Sequence, residues 1–297
     1  KLTFYPAGHI LGAASPLLEW DDIRLQFSGD IGRDNDLLIK PPTKAQSNLV
    51  VMESTYGDRI HPENFPYTDF ANIFKRAQKQ SGTVIIPAFS NARSQNMMAF
   101  LEEVFELYPD SKLPVYVDSP MTLAITDLYE RYSAQIKKSK SWVKKLPQHF
   151  NFIEFAKQRK KLASQNSAKI ILTASGMLTG GFVIEHLKNF IERESTQILI
   201  VGYQSSKTIG AQLLEQSLQI EIDKQVYSVN AKIHNFTHFS SHRDQAGLID
   251  WIEDQKSGKV YLTHGEETSQ LNLKKAILSS TTHQVELLKL NETYSLK

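Results

Sequence analysis

Five residues in this sequence have side chains that can bind a metal ion or transfer a proton, and each stands beside a glycine or a serine. They are His9, Asp30, Glu53, His242 and His264. Imidazole nitrogens and carboxylate oxygens are ligands that Zn²⁺ accepts, and zinc brings the pKa of coordinated water close to neutrality. A separate Glu–His pair could donate a proton to a leaving group. The residue types therefore predict metal-assisted hydrolysis.

Each of these residues, taken singly, also has an ordinary structural explanation. Asp30 precedes Gly32 and could belong to a turn, and Glu53 precedes Ser54-Thr55 and could belong to a helix cap. A single histidine at the end of a strand is more often structural than catalytic. The joint occurrence of five such positions, all beside small residues, favours the chemical interpretation.

The composition excludes several other classes of site. The chain contains no Cys, which excludes disulfide scaffolds, thiol catalysis, Cys-ligated zinc and iron–sulfur clusters. It also lacks a Gly-x-x-x-x-Gly-Lys-Ser/Thr phosphate loop and a Gly-x-Ser-x-Gly nucleophile elbow. The 34 basic residues nearly balance the 32 acidic ones, so the chain is not a uniformly basic nucleic-acid coat. No apolar run approaches the ~18 residues that span a membrane. We expect a cytoplasmic protein, because the absence of Cys fits a reducing compartment.

Short apolar runs that end in polar or glycine-rich turns predict the strands that position these residues. The runs cover residues 49–52, 83–86, 115–117, 169–172, 198–201 and 259–262. Continuous apolar runs of this length are typical of buried parallel strands, and ligands collect at the carboxyl ends of such strands. Amphipathic patterns predict helices over Asp69–Gln80, Ser94–Tyr108, Thr208–Gln219 and Gln245–Gln255. Alternation of strands and helices predicts an α/β fold.

Two further segments differ from this alternation. Residues Pro16–Trp20 and Ile23–Ser28 flank two aspartates and predict a hairpin. Residues 137–161 carry nine lysines and arginines but one acid, Glu154, and five aromatic or histidine residues lie among them. Such a segment suits a nucleic-acid strand through phosphate neutralisation and base stacking. A solvated helix face with its own core aromatics is an equally good interpretation.

Taken in order, the motifs around the five residues resemble those of the β-CASP branch of the metallo-β-lactamase superfamily. The matching stretches are AGHILGAA, FSGDIG, ESTYGDR, FSSHRDQ and YLTHGE, supported by PAFSNARSQ, VDSPM, TASGMLTGG and VGYQSSKTIG. Members of this branch are zinc-dependent nucleases that process nucleic acids. The resemblance covers almost the whole chain. Within the branch, the sequence is similar to the RNA 3′-end processing nuclease of eukaryotes and to its bacterial and archaeal relatives.

The resemblance implies a role for each residue. His9 and His264 would each bind one of two zinc ions, Asp30 would bridge them, and Glu53 would pair with His242 near the leaving group. DNA-processing members typically carry Val where this chain has His264, so the implied substrate is single-stranded RNA. Further RNA contacts are expected from Arg93, Ser175 and Gly176. His238 stands four residues before His242, a spacing compatible with zinc on a helix, but it matches no motif and is interpreted as structural. His234 is left unassigned.

The implied fold is α/β, with a partial metallo-β-lactamase αββα sandwich and an inserted Rossmann-like β-CASP domain built on a parallel sheet. The sandwich would use residues 1–60 and 237–297, and the inserted domain residues 61–236. No membrane contact is expected, and a homodimer is left open.

One departure from the family is large. The His-x-His-x-Asp-His motif, which would lie before His9, is absent, and the chain starts at Lys1. We therefore expect a fragment whose zinc site is incomplete or empty and whose nuclease activity is weak or missing. The main alternative is a non-catalytic β-CASP paralogue that acts as an RNA-binding scaffold, although a scaffold would need none of the five residues. A DNA nuclease and a small-molecule hydrolase are the remaining alternatives.

Overall fold

The computed structural model describes residues 1–253, 255 and 258–295. The chain forms two compact units. The first unit comprises Lys1–His61 and Ser241–Lys297, and the second comprises Pro62–Ser240. The second unit is thus an insertion in the first, and the sequence predicts an insertion of residues 61–236.

The helices and strands alternate through most of the chain. The strands are β1 (Leu2–Pro6), β2 (Ala14–Trp20), β3 (Ile23–Phe27), β4 (Leu49–Glu53), β5 (Thr83–Pro87), β6 (Val115–Asp118), β7 (Asn151–Phe152), β8 (Lys169–Thr173), β9 (Gln197–Ile200), β10 (Gln219–Ile222), β11 (Gln225–Ser228), β12 (Lys232–Asn235), β13 (Lys259–Thr263) and β14 (Gln284–Leu287). The helices are α1 (Tyr67–Lys79), α2 (Arg93–Leu107), α3 (Pro120–Arg131), α4 (Lys140–His149), α5 (Ala156–Ser164), α6 (Phe182–Phe190), α7 (Ile209–Leu214), α8 (Gln245–Glu253) and α9 (Glu267–Ser280).

The first unit contains a mixed sheet in the order β1-β2-β3-β4-β13-β14. The predicted hairpin is present as β2 and β3, which pair antiparallel and turn at Asp21, a residue with φ of 47°. Strands β3, β4, β13 and β14 run parallel to one another, with Glu53 opposite Thr263. One face of β4 and β13 packs on helices α8 and α9 through a core that includes Trp251 and Leu273.

The second unit contains a parallel sheet in the order β12-β9-β5-β8-β6-β7, together with the β10–β11 hairpin. The three consecutive apolar residues of β5, 84–86, and those of β8, 170–172, are fully buried, as continuous apolar runs predict. Helix α6 packs on this sheet through Val183, Leu187 and Phe190. The predicted α/β class, with a mixed sheet and an inserted parallel sheet, is confirmed.

Several element bounds differ from the predictions. The helix predicted over Thr208–Gln219 is a short helix that ends at Leu214, because Gln216 adopts a left-handed φ of 60° and the chain enters β10. The helix predicted to reach Gln255 ends at Glu253, and residue 254 lies outside the described residues. Among the described residues, no helix is both long and apolar enough to cross a membrane.

Candidate metal centre

All five candidate residues lie in the first unit, at the ends of strands or in the loops beside them. Asp30 follows β3, Glu53 is the last residue of β4, and His264 follows β13. Because these three strands are parallel neighbours, their carboxyl ends meet at one edge of the sheet. His9 follows β1, and His242 precedes α8.

Two isolated bridges bring the remaining loops to this edge. Gly8 pairs with Ile31, and Gly32 pairs with His242. The approach at Gly32 is close enough to require glycine, since a Cβ atom there would stand 1.7 Å from the carbonyl oxygen of Gly8. The glycines beside His9 and Asp30 therefore let three backbone segments touch, and this places their side chains together.

The carboxylate of Asp30 lies between two histidines. Its Oδ2 is 3.8 Å from Nε2 of His9, and its Oδ1 is 3.3 Å from Nε2 of His264. Each oxygen of one carboxylate thus faces a different imidazole. This is the arrangement in which a carboxylate can bridge two cations, each with a nitrogen ligand of its own.

Glu53 and His242 form a second pair beside this carboxylate. Nδ1 of His242 lies 2.9 Å from Oε2 of Glu53, and Oε1 of Glu53 accepts a hydrogen bond from the backbone N–H of Ile31 at 2.5 Å. Burial by itself raises the pKa of Glu53, but the hydrogen bond and charge of His242, with smaller contributions from Thr55 and Ile31, hold that pKa below its usual value. The carboxylate is therefore ionised at neutral pH.

His9 is the most enclosed of the three histidines. Burial and the neighbouring charge of His242 lower its pKa, against the opposing effect of Asp30 and Glu53. A lowered pKa favours the neutral imidazole, which is the form that binds metals. The rings of His9 and His242 lie 4.3 Å apart between centroids.

The described residues contain one cluster of metal-ligating side chains whose ligand atoms all lie within 4.8 Å of one another. It comprises His9, Asp30 and His242. The cluster includes the histidine that the sequence assigned to proton transfer, while His264 contacts Asp30 from its other oxygen. The imidazoles of His9, His242 and His264 and the carboxylate of Asp30 are donors of the kind that zinc accepts.

Comparison with known proteins agrees with this geometry. The Beta-Casp domain family matches residues 94–213, and the family described as the Zn-dependent metallo-hydrolase RNA specificity domain matches residues 226–288. Ribonuclease TTHA0252 of Thermus thermophilus is 31% identical over 98% of this chain and 68% of its own length. The chain belongs to the β-CASP branch of the metallo-β-lactamase superfamily.

Archaeal members of the branch are similar over less of their length. RNase aCSPSF2 of Saccharolobus solfataricus is 30% identical, over 92% of this chain and 54% of its own length. Transcription termination factor FttA of Methanocaldococcus jannaschii is also 30% identical, over 92% of this chain and 46% of its own length. The chain thus spans about half the length of these two relatives.

A solved structure shares the fold. The crystal structure of a protein of unknown function from Enterococcus faecalis V583 matches 97% of this chain and 62% of its own, with a TM-score of 0.51 and 13% identity.

Two residues near the candidate metal centre were not predicted from the sequence. His61 lies beside His242, with its Nε2 3.1 Å from the carbonyl oxygen of that residue, and burial together with the charge of Arg33 lowers the pKa of His61 to about 4. Arg243 is buried and donates through Nε to the carbonyl oxygen of Gly32 at 2.7 Å. The signal for Arg243 was its place directly after His242.

The three residues expected to contact RNA lie in the second unit. Gly176 follows β8, and its carbonyl oxygen accepts a hydrogen bond from Nε2 of Gln204 at 2.9 Å. Ser175 lies 3.2 Å from Thr179 between hydroxyl oxygens. Arg93 is buried at the start of α2, and its guanidinium donates to the carbonyl oxygen of Val201. Their contact with RNA stays a prediction.

The unassigned His234 and His238, which was interpreted as structural, also lie in the second unit. Nε2 of His234 is 3.0 Å from the amide oxygen of Gln197, in the neighbouring strand β9. His238 belongs to the short 3₁₀ turn Thr237–Phe239. The spacing of His238 and His242 is therefore not that of two residues on one helix.

Proposed function

We propose that this chain carries the catalytic residues of a zinc-dependent ribonuclease that hydrolyses phosphodiester bonds in RNA. The observation that supports this most is the placement of Asp30, whose two oxygens each face a different histidine. The relatives named ribonucleases support the reaction class.

The residues that would hold two zinc ions are the pairs on either side of Asp30. His9 with Asp30 would hold one ion, and His264 with Asp30 the other. When bound, zinc at such a site supplies Lewis-acid activation of water and stabilises the oxygens of the reacting phosphate. The neutral form of His9, which its lowered pKa favours, is ready to bind without losing a proton.

These pairs supply two protein ligands for each ion, whereas catalytic zinc sites usually have three. We therefore expect the residues of this sequence alone to bind zinc weakly and to give weak nuclease activity. Further ligands would raise both.

The proton for the leaving oxygen would come from His242. Glu53 holds Nδ1 of this imidazole, so Nε2 is the nitrogen that would carry the proton to the substrate. Glu53 is ionised and buried, and a buried carboxylate both orients the ring and stabilises its protonated form. His264 supports RNA rather than DNA as the substrate class, because DNA-processing members of the branch typically have Val there.

The test compares zinc binding and cleavage of single-stranded RNA by the chain and two single variants. His264→Ala is expected to lower zinc affinity at least tenfold, as the loss of a direct ligand should. His234→Ala is the matched control, because it removes an imidazole from the second unit. Zinc binding that is equal in the chain and in His264→Ala would contradict the proposal. RNA binding by a chain that binds no zinc would instead favour the non-catalytic scaffold.

A further inference from the structure

A cavity of about 420 Å³ lies in the second unit, where α4, β7 and α5 meet. Its volume falls within the range of about 300–1,000 Å³ that is typical of small-ligand sites. Its lining includes Phe150, Phe152, Glu154, Gln158, Lys161 and Gln165. Because β7 is an edge strand, the cavity lies at the margin of the parallel sheet, in the unit that does not carry the metal centre.

Aromatic rings form one part of the cavity lining. Val117 of β6 is opposite Phe152 of β7, so the side chain of Tyr116, which also lines the cavity, lies on the other face of the sheet from that of Phe152. Phe150 is buried directly before β7. The partly exposed ring of Phe152 is the aromatic face that suits a nucleobase, since every base offers a π-face that stacks on an aromatic side chain.

Amide groups form the polar part. The side-chain oxygen of Gln165 is buried and accepts no hydrogen bond from a described residue. A buried acceptor that lines a cavity is satisfied when the ligand brings a donor, and base edges carry N–H groups. Oε1 of Gln158 accepts from the backbone N–H groups of Glu154 and Phe155, both at 2.9 Å, so its amide is held with the nitrogen as the donor end.

Helix α5 brings positive charge to one side of the cavity, which one carboxylate, that of Glu154, also lines. Lys161 lines the cavity, and Lys157 and Lys160 stand on the same helix, α5. Among the described residues, no carboxylate forms an ion pair with any of these three ammonium groups, whereas Lys140 and Lys144 of α4 lie 3.9 and 3.8 Å from Glu130. Unpaired lysines beside a stacking site suit the phosphates that flank a base. Phe155, at the start of α5, is 66% exposed and adds an aromatic surface to this rim.

We infer that this cavity binds one base of a single-stranded RNA, with Lys161 and its neighbours contacting the adjacent phosphates. The inference rests on the proposed function for its substrate class and adds a subsite that holds the strand. It takes up the nucleic-acid interpretation of the basic segment, because charged and aromatic residues of α5 and β7 border one cavity.

The test measures binding of a fluorescent single-stranded RNA to the full chain in the presence of a chelator, so that cleavage plays no part. Phe152→Leu keeps an apolar side chain but removes the ring, and Gln165→Leu removes the amide. Each is expected to weaken binding about tenfold, the effect of losing one base contact. Lys161→Ala changes an exposed side chain and is expected to reduce the slope of log affinity against log salt by about 0.7. Lys232→Ala, on the opposite edge strand β12, is the matched control and should bind as the unchanged chain does.

The outcomes separate this inference from the proposed function. If the unchanged chain binds RNA and all three cavity variants bind equally well, the subsite is wrong while the RNA substrate stands. Circular dichroism would show whether Phe152→Leu or Gln165→Leu loses its fold. In that case the subsite is judged on Lys161→Ala alone, by the slope of its log affinity for RNA against log salt. If the unchanged chain binds no RNA, both proposals fail. Weakened binding in the cavity variants, with Lys232→Ala unchanged, supports the subsite.

Discussion

Both carboxylate oxygens of Glu53 face a single ring nitrogen of His242, at 3.0 Å for Oε1 and 2.9 Å for Oε2. The carboxylate is almost fully buried, while about a fifth of the imidazole side chain is exposed. The acid is therefore the enclosed member of the pair and the histidine the accessible one. This asymmetry suits a histidine that meets a substrate and a glutamate that only orients it.

Glu53→Gln tests this division of roles. The substitution keeps the shape of the side chain and removes its charge, so the imidazole loses the partner that stabilises its protonated form. We expect RNA cleavage to slow about a hundredfold or more, within the range for loss of general acid catalysis, while zinc affinity stays unchanged. Rates on labelled RNA and zinc titrations measure the two effects. Glu106→Gln, an exposed residue of α2, serves as the control. An equal loss of zinc would make Glu53 part of the metal site instead.

Removal of His242 should reverse the pH dependence that Glu53 gives to stability. In the unchanged chain, folding lowers the pKa of Glu53. The ionised carboxylate therefore stabilises the folded state at pH values above the unfolded-state pKa, and this stabilisation is lost as the pH falls through the folded-state pKa. In His242→Ala the buried carboxylate loses its main partner, and burial should raise its pKa. We expect a loss of roughly 2–4 kcal/mol at neutral pH, partly recovered on acidification to about pH 5.

Urea unfolding across the acid range measures this reversal. The double variant Glu53→Gln, His242→Ala lacks the carboxylate and should show neither behaviour. If the single variant His242→Ala loses stability on acidification as the unchanged chain does, the electrostatic coupling between Glu53 and His242 is contradicted.

Gly32 should tolerate no side chain. A Cβ atom there would lie 1.7 Å from the carbonyl oxygen and 1.9 Å from the carbonyl carbon of Gly8, so the loops that carry His9 and Asp30 would have to separate. We expect Gly32→Ala to cost about 3 kcal/mol or more in unfolding free energy and to weaken zinc binding. Gly180→Ala is the matched control, because a Cβ atom at that position meets nothing within 4 Å. Equal melting temperatures for the two variants would contradict the close approach of Gly32 to the carbonyl group of Gly8.

Lys169 should make the second unit more stable at alkaline pH. Burial, with a smaller contribution from the charge of Arg193, lowers the pKa of Lys169 to about 8. Between about pH 8 and the unfolded-state pKa near 10.4, the unfolded chain binds a proton that the folded chain has lost, so stability rises with pH in this window. The rise should be roughly 2–3 kcal/mol. Lys169→Met should remove it, which denaturant titrations at several pH values would show. A rise of the same size in both proteins would assign it to other groups.

The five candidate residues named from the sequence lie together in the structure, and two of them are strand ends that can be recognised locally. Glu53 and His264 close continuous apolar runs, and parallel strands place such ends at one edge of a sheet. The predicted parallel strands and the hairpin of β2 and β3 are also present, and their apolar runs and turn residues are likewise local signals.

Features that depend on contacts between distant segments could not be predicted. The pKa of His61 falls because folding buries its ring and brings it near the charge of Arg33, and nothing in its own neighbourhood of the sequence signals this. Helix α9 was also missed. Its buried residues Ser269, Leu273 and Ile277 recur every four positions but include one polar residue, so its amphipathic pattern is weak. The β1 strand was missed because Leu2 and Phe4 are exposed and its pattern is not that of a buried run.

The pairing of β4 with β13 has a consequence for how the protein is made. Residues 49–53 leave the ribosome well before residues 259–263, and the whole second unit is synthesised between them. The edge of β4 that pairs with β13 therefore stays unpaired while the insertion folds. Contacts of such long sequence separation form slowly, since a long loop must close before they stabilise anything. We expect the candidate metal centre to assemble after the insertion has folded, because its residues can meet only once residues 259–263 have been synthesised.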